Sequence, residues 1–179
     1  MNNLLNELKN LFKASDLEHK RDDLVFITVE KHYLPFAIKL AKDNYGFRHL
    51  ILMTAVDWLE DGFFQVTYLL RNYSTKKDIG IRVFIPRTEP VIESIHNMWE
   101  TAATYQRELK EMFGIDFPGS PKINEPFILE GWDDIPPYRR DFDTKKYSEE
   151  TFFPRPGRST NDPEEYMKKK LYPQEEKDV

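Results

Sequence analysis

His49-Leu50-Ile51-Leu52-Met53-Thr54-Ala55-Val56-Asp57-Trp58-Leu59-Glu60-Asp61-Gly62-Phe63-Phe64-Gln65-Val66-Thr67-Tyr68-Leu69-Leu70 decides the fold. His49 to Trp58 is largely apolar, the composition of a central strand. Asp61-Gly62 is a tight-turn signal, so the chain returns as a hairpin. In the returning run, Phe64, Val66, Tyr68 and Leu70 occupy one side at the period of two. A polar turn through Asn72 to Lys77 leads to a third strand. Ile79, Ile81, Val83 and Ile85 alternate in it, and Pro86 ends the pairing.

Upstream, residues 3–13 read as a helix, with Leu4, Leu5, Leu8, Leu11 and Phe12 on one face. Leu24 to Glu30 reads as a strand. Residues 31–44 read as a second helix, with Pro35 in its first turn, a stripe of Leu34, Ala37, Ile38 and Ala41, and Gly46 as its stop. Downstream, residues 91–113 read as the longest helix, with a spine of Ile92, Ile95, Trp99, Ala102, Leu109 and Phe113 that Gln106 interrupts. The order α-β-α-β-β-β-α implies an α+β fold. Its core is a four-stranded mixed or antiparallel sheet with helices on one face, followed by an extended C-terminal arm.

Three regions follow from composition. Residues 1–118 form the α+β core. Residues 119–142 form a proline-rich docking segment, where Pro121, Pro126, Pro136 and Pro137 break any long element. Residues 143–179 form a tail whose only Leu, Ile or Val are Leu171 and Val179, too few to bury a core of its own. The tail keeps Tyr147, Phe152, Phe153, Tyr166 and Tyr172, aromatics that are costly to leave in water. A short helix is expected after Asp162, with Pro163, Glu164 and Glu165 at its start, Lys168 to Lys170 at its end and Pro173 as its stop. An arm ordered by a partner explains this pattern.

The 179 residues suffice for one domain with a real core. A net charge of -5 argues against general nucleic-acid binding, as does Arg82 being the only clear cation within an expected strand. No apolar run approaches the roughly 20 residues that span a bilayer, and no signal-peptide core opens the chain. The expected location is therefore cytoplasmic, compatible with a seat on a membrane complex. With no cysteine, the chain cannot hold a disulfide, a thiolate zinc site or a cysteine-ligated iron–sulfur cluster. Its four histidines are scattered singly. The absence of cysteine with many Lys and Glu fits a heat-adapted source.

Two clusters remain as candidate sites. The first is Tyr105-Gln106-Arg107-Glu108-Leu109-Lys110-Glu111-Met112-Phe113-Gly114-Ile115, which closes the long helix. Arg107, Glu108 and Glu111 could form a solvated face with one helical ion pair. Gln106 within the apolar spine argues instead for a covered surface, where each polar group needs a partner. Arg107 and Glu108 then read as interface anchors, with Glu111, Met112 and Phe113 beside them. The second cluster is Pro136-Pro137-Tyr138-Arg139-Arg140-Asp141-Phe142. It could be a plain charged loop. The prolines hold its entry extended, though, and arginine forks suit carboxylates on another surface. Tyr138 and Phe142 would bracket Arg139, Arg140 and Asp141 as apolar anchors. Asp133-Asp134 and Glu149-Glu150 are the nearest carboxylate pairs, and no nucleophile, histidine or metal ligand is grouped with them. A stand-alone carboxylate-using hydrolase is thus a remote alternative.

These residues resemble the 30 kDa (C) subunit of proton-pumping NADH:quinone oxidoreductase (respiratory complex I), and the related subunit of membrane-bound nickel–iron hydrogenases and sulfane reductases. The likeness covers about residues 24–142, including Val56-Asp57-Trp58, Arg107-Glu108, Met112-Phe113-Gly114-Ile115 and Arg140-Asp141-Phe142. The family usually reads Glu-Arg-Glu at Gln106-Arg107-Glu108 and aspartate at Glu111. It has glycine-histidine-proline at Gly119-Ser120-Pro121, a double arginine near Ile123-Asn124, and arginine-lysine-aspartate at Arg139-Arg140-Asp141. Pro136-Pro137-Tyr138 looks more like the hydrogenase-type or sulfur-reducing relatives. The resemblance implies a peripheral subunit on the cytoplasmic side of the cell membrane, with no catalytic site, cofactor or metal of its own. Its implied neighbours are a hydrogenase-like large subunit and iron–sulfur subunits. Iron–sulfur clusters and, in the hydrogenase branch, a nickel–iron centre would lie on those other subunits. Electron transfer in such assemblies is coupled to ion translocation.

Overall fold

The computed structural model describes residues 1–152, and the chain divides into two units, Met1–Phe142 and Asp143 onward. In the first unit the described elements are α1 (Asn2–Phe12), β1 (Ser15–Arg21), β2 (Leu24–Thr28), a 3-10 turn (Lys31–Tyr33), α2 (Leu34–Tyr45), β3 (His49–Trp58), β4 (Phe63–Asn72), β5 (Lys77–Pro86) and α3 (Thr101–Phe113).

The fold is α+β, but the sheet has five strands rather than four, in the order β1-β2-β5-β4-β3. β2 and β5 run parallel, and all other neighbours are antiparallel. The additional strand is β1, Ser-Asp-Leu-Glu-His-Lys-Arg, which pairs with β2 across the turn at Asp22-Asp23. It has no apolar alternation because it lies at an edge, and its register is shifted twice. Edge strands of this kind are commonly charged and bulged. β3 is the opposite edge, not a central strand. Its apolar length reflects two different surroundings: Leu50, Met53 and Ala55 enter the core, whereas Val56 and Trp58 stand on the open face.

The period-two reading of the strands is correct in detail. Phe64, Val66, Tyr68 and Leu70 of β4, and Ile79, Ile81, Val83 and Ile85 of β5, are all fully buried on one face. Burial of each such aliphatic side chain contributes about 1.5–3 kcal/mol. The helices supply the other half of this core through Leu4, Leu5 and Leu8 of α1, Ala37, Ile38 and Ala41 of α2, and Ala102, Leu109 and Met112 of α3. Leu11 of α1 is exposed, so the buried stripe of that helix is narrower than its composition implies. On the opposite face Val56, Trp58, Phe63 and Phe84 are exposed, and Phe26 covers Gly80. A Cβ built at Gly80 would meet the Phe26 ring at 2.2 Å, so any larger residue here would force Phe26 to move.

The long helix is shorter than its spine suggests. Residues 91–100 are not helical, although Ile92 and Ile95 are buried. Val91 bridges Asp116 in parallel: Ile92 N–H donates to Asp116 O (3.0 Å), and Asp116 N–H donates to Pro90 O (2.7 Å). Ser94 Oγ accepts the His96 N–H at 3.3 Å, a local alternative to helix bonding. Extended pairing at Val91–Ile92 and a turn in which the Met98 and Trp99 N–H groups donate to Ile95 O thus replace helix over this stretch. At the other end Gly114 is left-handed (φ 80), and Ile115 N–H reaches back to Leu109 O at 3.4 Å. That six-residue closure satisfies carbonyls at the helix end.

In the second unit, α4 spans Thr144–Phe152. Asp143 starts it by accepting the Lys146 N–H on its carboxylate at 2.9 Å. No strong apolar periodicity announces this helix. The expected helix after Asp162 lies outside the described residues.

Candidate functional site

The candidate surface is built where the end of α3 meets residues 119–142. This segment has no long helix or strand, and individual polar contacts hold it. Glu111, on the last turn of α3, is the main one. Its Oε2 accepts the Phe127 N–H at 2.6 Å, and its Oε1 accepts those of Ile128 (2.9 Å) and Leu129 (3.1 Å). The carboxylate therefore faces three loop amides rather than Arg107 or Lys110. Lys110 Nζ donates instead to Asp116 Oδ1 and Asn124 Oδ1, each at 2.7 Å.

One turn on, Tyr138 N–H donates to the Met112 carbonyl at 2.9 Å, a carbonyl left open by the helix end. The Tyr138 ring stacks edge-on against Phe113 at 5.7 Å, and Phe113 meets Phe64 of the core at 6.1 Å. Phe142 makes a similar contact with Trp132 at 5.6 Å. Tyr138 remains 60% exposed, and Ile128 and Ile135 of the same segment are exposed too.

Arg139, Arg140 and Asp141 converge on Asp57 at the end of β3. Arg139 grips Asp141 through both Nε (3.0 Å) and Nη2 (2.8 Å). Arg87 lies behind them, with its Nη2 3.0 Å from Asp141 Oδ1 and 3.1 Å from Asp57 Oδ2, and its Nε 2.8 Å from Asp57 Oδ1. The Arg140 backbone N–H also donates to Asp57 Oδ2 at 2.9 Å, while its guanidinium pairs with Glu60. The Arg139 and Arg87 guanidiniums hold the Asp141 carboxyl down at about 2. Arg140 likewise lowers Glu60. The Arg139 fork thus closes on a carboxylate of its own loop. Asp57, Glu60 and Arg87 belong to this network, although the charge pattern did not single them out as site residues. The available signal was one carboxylate in an apolar strand, at the parity that faces the core.

Arg107 and Glu108 are less committed. Arg107 stacks on the Phe127 ring at 5.6 Å, and its closest carboxylate is Glu125 at 4.0 Å. Its Nε is buried without a hydrogen-bond partner. Glu108 is half-buried and has no ion pair among the described residues. Gln106 is fully buried, as its place in the spine requires, and its Oε1 accepts the Ser94 hydroxyl at 2.7 Å. Trp58 and Trp132 sit at the rim, and the Trp99 indole donates to Arg48 O at 2.8 Å.

Among the described residues there is no group of His, Asp and Glu that could hold a metal ion. Nor, among them, is any helix long and apolar enough to cross a membrane.

Comparison with known proteins places this surface in context. Residues 27–148 match the family described as respiratory-chain NADH dehydrogenase, 30 Kd subunit. The NADH-quinone oxidoreductase C subunit of Moorella thermoacetica is 31% identical over 123 residues, which is 69% of this chain and 82% of that protein. The NADH-quinone oxidoreductase C/D subunit of Hydrogenobaculum sp. is 32% identical over 145 residues, or 80% of this chain. The chain spans only 24% of that longer relative. A solved chain of the membrane-bound sulfane sulfur reductase, an archaeal respiratory membrane complex, has the same fold at a TM-score of 0.78. It is 21% identical, and the match covers 90% of this chain and 96% of that one. The matched family span contains nearly the whole β2-to-α3 frame and both charged clusters, and on that ground the chain belongs to the 30 kDa subunit family of the respiratory-chain NADH dehydrogenase.

Proposed function

We propose that this chain is a non-catalytic, cofactor-free subunit in the peripheral arm of a complex-I-like membrane-bound oxidoreductase that couples electron transfer to ion pumping. It docks on the hydrogenase-like large subunit, on the cytoplasmic side of the membrane, through the end of α3 and residues 119–142. Iron–sulfur clusters, and in the hydrogenase branch a nickel–iron centre, belong to its neighbours.

The observation that carries this reading is the incomplete pairing of Arg107, whose buried Nε has no partner, next in sequence to a half-buried Glu108 without an ion pair among the described residues, at the α3 end that meets a segment exposing Ile128, Ile135 and Tyr138. Buried polar groups ordinarily find partners, and large apolar residues beside them form the kind of patch that marks an interface. The Hydrogenobaculum relative, named for C and D together, supports a close association of the C portion with a D portion. We favour a sulfur-reducing or hydrogenase-type assembly. The Pro136-Pro137-Tyr138 sequence supports that branch, and likeness to the sulfane sulfur reductase chain extends over 90% of the molecule. NADH:quinone oxidoreductase proper is the second reading, favoured by the names of the Moorella and Hydrogenobaculum relatives.

Gentle purification from native membranes, with mass spectrometry of co-purifying chains, tests both. Recovery of a nickel-binding large subunit selects the first branch, and a flavin-bearing NADH module selects the second. A self-sufficient monomer turning over a substrate would overturn the docking role altogether.

A further inference from the structure

The end of α3 and the 119–142 segment enclose a cleft of about 340 Å³. Arg107, Lys110, Ile123, Leu129, Trp132 and Pro136 are among its walls. Most charges there are already engaged. Lys110 bonds Asp116 and Asn124, and Glu111 takes three backbone amides. Asp134 Oδ1 accepts the Ile135 N–H at 2.6 Å, and Glu125 lies closer to Lys122, at 3.3 Å, than to Arg107.

Arg107 differs. A guanidinium offers five N–H donors. Here the nearest carboxylate stands at 4.0 Å, the outer limit of an ion pair, and the buried Nε has no acceptor. The Phe127 face under the guanidinium helps fix the plane of the fork. The result is a cation held in place with donors to spare, among apolar walls (Ile123, Leu129, Trp132) and carboxylates of which Glu111 and Asp134 already accept backbone N–H groups and Glu125 is shared with Lys122. A planar fork in that state matches a carboxylate presented edge-on.

We infer that the cleft receives one acidic side chain, an aspartate or glutamate, from the neighbouring large subunit, with Arg107 as its bidentate receptor. This inference rests on the docking role above and names the chemistry of the partner at that surface. The inserted carboxylate outcompetes Glu125 for the fork, because Glu125 is exposed and shared with Lys122.

The test uses the assembled complex. Arg107→Glu should lower retention of this chain at moderate salt by at least about tenfold, and Arg107→Lys, which keeps the charge but loses the fork, by less. A photo-crosslinker, Arg107→p-benzoylphenylalanine, should attach to a segment of another chain that contains Asp or Glu. Reversing that acid to Lys should restore retention of the Arg107→Glu chain. The inference is overturned if the glutamate and lysine variants are both retained like the parent, if crosslinks stay within residues 119–142, or if they reach a segment without an acid. Should Arg107→Glu fail to fold, the lysine variant and the crosslink decide. Co-purification of the parent chain with its complex separates these failures from failure of the docking role itself. A parent chain that purifies alone overturns both.

Discussion

The sheet core and the 119–142 segment are held by different balances of the same forces. The core buries a continuous layer of aliphatic side chains, so no single residue positions it. The segment packs Ile123, Phe127, Leu129 and the Tyr138 ring against the core only partly, and a few acceptors on the core fix its course: the Glu111 carboxylate, the Met112 carbonyl and the Asp57 carboxylate. Hydrophobic burial is non-directional, whereas hydrogen bonds fix distance and angle. The core therefore sets stability, and the anchors set where the candidate surface lies.

This contrast can be broken most severely at Asp57, which serves both regions. Asp57→Ala leaves Arg87 buried without its main counter-charge and should cost about 3–5 kcal/mol in urea unfolding. A loss below about 1 kcal/mol would mean the two regions are not joined there. Glu111→Ala should be milder and local, about 1–3 kcal/mol. Hydrogen exchange should show lost protection at Phe127, Ile128 and Leu129 while β4 and β5 stay protected. Uniform loss across the sheet would make Glu111 part of what holds the core instead.

Acid sharpens the comparison further. Asp141 titrates at about 2 when folded, against 3.8 ordinarily. Its stabilising contribution is present above about pH 4 and is lost as pH falls from about 4 through about 2. Asp141→Asn should therefore flatten the fall in stability within that window and leave the profile above about pH 5 unchanged in slope. The smallest effect belongs to Arg140→Ala. Its pairing with Glu60 is exposed and screened by water, so thermal stability of the isolated chain should stay nearly unchanged. Retention in the complex should fall all the same. Equal loss of both would make Arg140 a folding residue.

The two regions were also unequally legible in the sequence. β3, β4 and β5 could be read to within a few residues because alternation reports a buried sheet face directly. β1 could not, since an edge strand of Asp, Glu, His, Lys and Arg carries no such alternation. Residues 91–100 misled in the other direction. Their apolar spacing is genuine and Ile92 and Ile95 are buried, but pairing with Asp116 holds part of them extended. In the candidate site, Arg107, Glu108 and the Arg139–Phe142 run stood out as charges set among apolar residues. Their intramolecular partners did not. Asp57 lies 83 residues before Arg140, and Arg87 lies 54 residues before Asp141, separations that no local pattern encodes.

The sheet's margins carry a consequence for the life of an unassembled copy. At one margin, β1 presents Glu18, Lys20 and Arg21 and a twice-shifted register. At the other, the Tyr105 hydroxyl occupies the Ile51 carbonyl at 2.9 Å, and the Trp99 indole occupies that of Arg48 just before β3. Each side thus carries a feature that discourages a stray strand from pairing along it. A copy without its neighbours should therefore be less prone to polymerise edge to edge than one with flat, uncharged margins.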